Sequence, residues 1–335
     1  MSKKFSNLLR GYVIRPKASI SMSGLGGFKS FLKEKSRTFF VIAFLTPFLA
    51  ALTIMYGLPC ALSVLMSFTD MGLSFELHFL NPLLKNYYTI FHVADPRVPV
   101  VAQTTILYVG CTLLINAGFS LVLGVLTAYC IRNENVASVL RLLWFLPRMT
   151  PVIIYALLWL WFTDPTYGPL SIVSSWIGLK GVRWLLDKPY SQLLMILVNG
   201  YIGASWGMVI YVSSIKTIPL EIIYAAKADG ATDWDVIRRI ILPLLKWPIL
   251  FVTSWQTLSL IGSYVEILAI WDGYSFTSGV EVWSLFTYHT AFEGYRFGYS
   301  AALAIVMATI ALILVAIYFK VFGFKRMLEP SRIEV

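Results

Sequence analysis

Charge is what this chain has least of. Lys, Arg, Asp and Glu make up 13% of its 335 residues, whereas a soluble domain carries about 25%. That is too little charge for a water-facing surface, and a hydrophobic share of 58% must be buried in something besides its own core. Lipid is the obvious medium. Cysteine is scarce too. Cys60, Cys111 and Cys130 all fall inside apolar runs, with neither metal-ligand spacing nor a disulfide framework. They read as buried small apolar side chains. The three histidines, His78, His92 and His289, lie near loops without a paired nucleophile, so the chain lacks a catalytic set. It also lacks G-x-x-x-x-G-K-[ST], the loop that cradles nucleotide phosphates. ATP chemistry, if it drives this protein, must come from another subunit.

Long apolar runs are plentiful. A helix needs about 20 apolar residues to cross the bilayer core, and six segments qualify: 39–67, 103–131, 140–162, 192–214, 248–271 and 298–322. The run after the basic opening is about twice the length of a signal-peptide core, so it reads as a retained span. The expected fold class is therefore an all-α integral membrane protein with six transmembrane helices. A basic tail (1–38) precedes the membrane domain (39–325), and a short carboxyl tail (326–335) follows it. The net charge of +10 is not spread over a polar domain as in a nucleic-acid binder. With the amino terminus inside, 20 Lys and Arg lie on the inner side and six on the outer. The positive-inside bias thus places both termini, and the 215–247 loop, in the cytoplasm. Trp176, Trp184, Tyr87, Tyr88, Trp283, Tyr288, Tyr295 and Tyr299 occupy the outward loops and are expected to anchor at the interface.

The 219–243 segment is the most informative inner loop. Pro219 ends the fourth span, and a short helix over 221–228 follows, with Ala225, Ala226 and Ala228 leaving room for a partner's backbone. Asp229-Gly230 breaks it, because Gly readily takes the positive φ of a helix end. Thr232 or Asp233 caps a second helix, whose apolar face is Val236, Ile237, Ile240 and Ile241. Arg238 and Arg239 lie opposite, and Pro243 closes it. The result is a helix–turn–helix between spans four and five.

The run Tyr224-Ala225-Ala226-Lys227-Ala228-Asp229-Gly230-Ala231, followed by Ile240-Ile241-Leu242-Pro243, resembles the EAA loop of ABC-importer permeases. That pattern is roughly E-A-A-x-x-x-G, nine residues, then I-x-L-P. Other pieces resemble the sugar-permease branch, of the larger, maltose-transporter-like type: Ser67-Phe68-Thr69-Asp70, Asn86-Tyr87, Pro147 to Pro151, Pro165-Thr166-Tyr167-Gly168, and Gly298-Tyr299-Ser300-Ala301-Ala302. Their order and spacing carry the resemblance over about residues 40–325. It implies a prokaryotic cell-membrane permease subunit that moves a sugar or oligosaccharide. The implied partners are an ABC ATPase dimer holding ATP and Mg, a second permease subunit and an extracytoplasmic solute-binding protein. It also implies that Glu221, Tyr224, Ala225, Ala226, Asp229, Gly230, Ala231, Ile240, Leu242 and Pro243 form the ATPase-coupling element. Tyr224 stands where the family has Glu. Either Glu221 substitutes for it or the contact is more apolar.

Polar groups inside spans mark pathways. Gln256, Ser259, Ser263 and Glu266 are spaced to share one face of a continuous fifth helix. Glu266 is informative because a charge at bilayer depth costs roughly 2.5 kcal/mol or more. Trp255 and Tyr264 flank the stripe, and the fourth span offers Asn199 and Trp206 as further candidates for a solute path. Gly203-x-x-x-Gly207 reads as a helix-packing face, and Asn116 as a group that bonds a neighbouring helix. The rival reading is an ion-gradient-driven secondary transporter with Glu266 as carrier.

Overall fold

The computed structural model describes residues 42–92 and 94–322. The two predicted tails, 1–38 and 326–335, lie outside them. The described residues are helical and contain no strands, only one isolated bridge, Thr69 to Phe79. The chain divides into two compact units, 1–61 and 62–335. The first contributes most of helix α1, Ile42–Met66, which is apolar and exposed along its length. Within it the Thr46 hydroxyl donates to the Ile42 carbonyl at 2.7 Å.

The second unit continues with α2 (Lys85–Phe91), the long α3 (Arg97–Cys130), α4 (Glu134–Met149), α5 (Val152–Phe162) and α6 (Pro169–Trp176). Next come α7 (Tyr190–Lys216), α8 (Leu220–Ala228) and α9 (233–244). The last four are α10 (Lys246–Gly262), α11 (Val265–Trp271), α12 (Trp283–Phe292) and α13 (Phe297–Phe322). Helix α7 is central and packs against α3, α4 and α10. Its sequence explains this position. Gly203 and Gly207 lie directly against the Asn116 and Ser120 side chains of α3, so the two backbones approach as closely as small residues allow.

Among the described residues four helices, α1, α3, α7 and α13, are long and apolar enough to cross a bilayer, and the bent pair α4–α5 makes a fifth if it counts as one span. The third predicted span is not straight, since α4 and α5 meet at 100°. Thr150 is extended at φ −77°, ψ 130°, as a residue before proline tends to be, and Pro151 caps α5.

The fifth predicted span, 248–271, is broken between α10 and α11, which corrects the expectation of one continuous helix. Ser263 is extended (φ −76°, ψ 127°). Its carbonyl accepts from the Ser284 hydroxyl at 2.7 Å, a partner that draws it out of the helical ladder. The preceding Gly262 adds little helix propensity.

Three further expectations are corrected. Pro243 does not close the second hairpin helix. It lies inside α9, and the helix runs on past it to Leu244. Trp184, Trp283 and Tyr299 are core residues rather than interfacial anchors; the Trp283 indole N–H, for example, donates to the Leu303 carbonyl at 2.9 Å. Trp176, Tyr88 and Tyr295 are exposed as an anchor requires. Finally, Cys60 and Cys130 are free thiols on exposed helix surfaces rather than buried, and Cys111 is half-buried. In apolar surroundings, exposure of a small apolar side chain carries little penalty.

Candidate functional site

The 219–243 segment folds as the helix–turn–helix its residues predict. Pro219 (φ −57°, ψ 130°) caps α8, and Asp229 donates its N–H back to the Ala225 carbonyl at 3.0 Å. Gly230 takes φ +87°, and the Ala231 N–H then closes on the Ala226 carbonyl at 3.0 Å. This left-handed closure after a helix end is available to Gly at no steric penalty. Thr232 begins α9 with a full capping box: its hydroxyl accepts from the Asp235 N–H at 3.2 Å, and the Asp235 carboxylate accepts from the Thr232 N–H at 3.2 Å. Replacing Thr232 with Ala is expected to lower stability by about 1 kcal/mol, read as a small fall in the thermal midpoint of the purified protein.

The hairpin's inner face is anchored. Ile223, Val236, Ile241 and Leu245 form one apolar cluster with Val125 of α3 and Ile215 of α7, and Ile218 joins them. Ile237 and Ile240 pack at its edge. The outer face presents Glu221, Tyr224, Ala225, Asp229 and Gly230 to solvent. Leu242 is half-buried and Pro243 exposed. Trp234, which sequence reasoning did not single out, is 66% exposed, close to the 64% of Tyr224. Both stand open beside the small-residue helix. A cavity of about 500 Å³ opens between the two helices, its lining including Ala226, Asp229, Gly230, Ala231, Asp235 and Arg239. Asp233 pairs with Lys227 at 2.8 Å. That ammonium, with the Tyr129 hydroxyl, holds the carboxyl below its ordinary range. A carboxylate depressed in this way keeps its pairing at neutral pH and loses it only as the pH falls through the lowered value.

The fifth-span stripe does not hold together as one face. Gln256 is buried and committed to packing: its amide N–H donates to the Gly203 carbonyl at 3.0 Å, and its carbonyl oxygen accepts from Asn116 at 3.2 Å. It is therefore not free for a solute. Ser259, one turn further along α10, is exposed. The chain break instead gathers a different group. The Ser263 hydroxyl donates to Glu266 at 3.0 Å and lies 3.4 Å from both the Tyr108 hydroxyl and the Asn199 amide. Arg148 interacts electrostatically with Glu266 from the end of α4. This places a cation where the sequence offered Glu266 no evident partner. Tyr264 stacks on Tyr288 with centroids 5.2 Å apart. Trp206 and Trp255 stack at 5.7 Å, with Phe251 beside them. A second cavity of about 390 Å³ fills the α4–α5 elbow, lined by aromatics that include Tyr155, Trp159, Trp161 and Tyr201.

The comparisons bear on this geometry. Residues 120–332, more than half the chain and including the hairpin, match the model of the binding-protein-dependent transport system inner membrane component. The chain belongs to that family. It is 30% identical over 288 residues to the probable ABC transporter permease protein YurN of Bacillus subtilis, covering 83% of this chain and 94% of that one. The diacetylchitobiose uptake system permease protein NgcF of Streptomyces coelicolor is 25% identical over 293 residues, covering 85% of this chain and 82% of its own length. Among solved structures, a chain of a bacterial ABC transporter involved in the import of the acidic polysaccharide alginate superposes with a TM-score of 0.77 at 21% identity, covering 90% of this chain and all of that one. At that identity the superposition establishes the fold. This permease is an ABC-type transport component rather than an enzyme, as the missing catalytic set implied. The ion-gradient alternative finds no support in the family match.

Proposed function

We propose that this permease is the membrane-spanning subunit of an ATP-driven importer for a sugar or oligosaccharide, delivered by an external solute-binding protein. The observation that carries the reading is the 219–243 hairpin. It is rooted in the ends of α3 and α7, its outer face is open, and it runs directly into α10. A groove on a separate ATPase dimer, carrying ATP and Mg, grips that outer face from the cytoplasm. Closure of the dimer then swings the hairpin and the helices fixed to it. A second permease subunit completes the passage, since one chain of this size presents exposed helix faces rather than an enclosed channel.

The saccharide reading draws on the relative named for diacetylchitobiose uptake and on aromatic faces suited to sugar rings. Trp206, Trp255 and Tyr264 supply those faces, and Asn199, Ser263 and Glu266 supply hydroxyl-directed polar groups. Coexpression with an ABC ATPase and a solute-binding protein tests the class. Pull-down of the ATPase with the wild-type permease, and uptake that stops on ATP depletion but continues with an uncoupler, are expected. Uptake that stops with the uncoupler and survives ATP depletion would reject it. Diacetylchitobiose is the first solute to try. Trp255→Ala is expected to raise the apparent KM roughly tenfold, the loss of about 1.5 kcal/mol of stacking, while the ATPase still copurifies. An unchanged KM removes Trp255 from the path.

A further inference from the structure

The hairpin is fastened to α3 by polar contacts as well as by the apolar cluster. At the last turn of α3 the Tyr129 hydroxyl donates to the Asp233 carboxylate at 2.7 Å, across 104 residues of sequence. The same carboxylate accepts from the Lys227 ammonium at 2.8 Å. That ammonium lies 5.6 Å from the centre of the Tyr129 ring. Asp233 opens α9 and Lys227 lies in the last turn of α8. One carboxylate therefore ties both hairpin helices to the end of a third helix outside the hairpin. Arg132, just past α3, adds its charge to the same site.

We propose that Tyr129 is a positioning residue that carries hairpin motion into α3, so that the second span moves together with the helices joined covalently to the hairpin. This rests on the reading that an ATPase grips the hairpin. The covalent route reaches only α7 and α10, whose ends flank the hairpin directly. Helix α3 has no such link. Its other attachments to the hairpin are apolar contacts of Val125, with Leu121, Ala128 and the Tyr129 ring at the cluster's edge, and apolar contacts have no preferred direction. The Tyr129–Asp233–Lys227 group fixes direction as well as proximity, because a charge-assisted hydrogen bond is short and oriented.

The test uses the full permease complex with its ATPase in proteoliposomes, and needs no solute. Cys60 and Cys130 are replaced by Ala, leaving Cys111 on α3 as a reporter. Its labelling rate with N-ethylmaleimide is measured with and without a non-hydrolysable ATP analogue. With Tyr129 present, the analogue is expected to shift the rate. Tyr129→Phe, which keeps the ring and removes the hydroxyl, is expected to lose most of that shift while still copurifying with the ATPase. Asp233→Asn should show the same loss, and the double variant no further loss, as for residues acting through one bond. A full shift in Tyr129→Phe overturns the proposal. So does an absent shift in the Tyr129 protein with ATPase bound, or losses that simply add. Failure of the wild-type chain to hold an ATPase at all overturns the gripping reading first, and this proposal with it.

Discussion

Gly230→Val is expected to cut solute uptake roughly tenfold while ATP hydrolysis by the attached ATPase continues. The side chain meets no obstacle, since the space around Gly230 is open. The effect comes from the backbone. Gly230 sits at φ +87°, a region that costs a non-glycine residue about 1–2 kcal/mol, and a β-branched one at the upper end. About 1.4 kcal/mol is tenfold in an equilibrium. The strained turn relaxes by giving up the Ala231 to Ala226 closure, and α8 and α9 lose their fixed angle. An ATPase still holds α8, but its stroke is absorbed at the turn. Gly230→Asn, whose side chain tolerates left-handed backbone, should keep most of the uptake. The measurement is solute moved per ATP hydrolysed in proteoliposomes. Unchanged uptake in the valine variant would remove the hairpin from the drive train.

Gly203→Val is expected to give the largest loss of stability of any single change considered. A Cβ at Gly203 lands on the Asn116 side chain. Asn116 cannot retreat, because its amide is bonded to Gln256, and Gln256 is in turn bonded to the Gly203 carbonyl. Overpacking costs about 1–3 kcal/mol, and each buried polar group left without a partner costs a further 1–3 kcal/mol or so. A fall of several degrees or more in thermal midpoint should follow, with loss of expression. Combining it with Asn116→Ala clears the collision and should restore part of the loss. A thermal midpoint unchanged by Gly203→Val alone would show that α3 and α7 do not meet as closely as described.

The hairpin was legible because its signals are local. Pro219, the alanine run, Asp229-Gly230 and the Thr232 cap each act within four residues, and each appears where the sequence places it. Gly203 and Gly207 were legible for a similar reason, since only close packing calls for such spacing in an apolar helix. The chain break at Ser263 was not. Hydropathy registers one largely apolar run of 24 residues from 248 to 271 and cannot register that Ser284, 21 residues after Ser263, takes the Ser263 carbonyl. Gln256 was misread as lining a path because its partners lie 53 and 140 residues away. Tyr129 gave no signal at all: a tyrosine ending an apolar helix looks like any interfacial residue until the fold brings Asp233 beside it. The aromatic anchors failed on the same ground, since Trp283 and Tyr299 sit where an anchor belongs and are then covered by the packing of α12, α13 and their neighbours.

The gap between α10 and α11 gives the fifth segment a wrist. On one side of it, α10 leans on α3, α7 and α13; on the other, α11 rests mainly on α5, with lighter contacts to α7 and α12. Without a hydrogen-bond ladder across Ser263, a tilt started at one end need not reach the other. Under the proposed drive, α10 can tilt with the hairpin while α11, with Glu266, moves less.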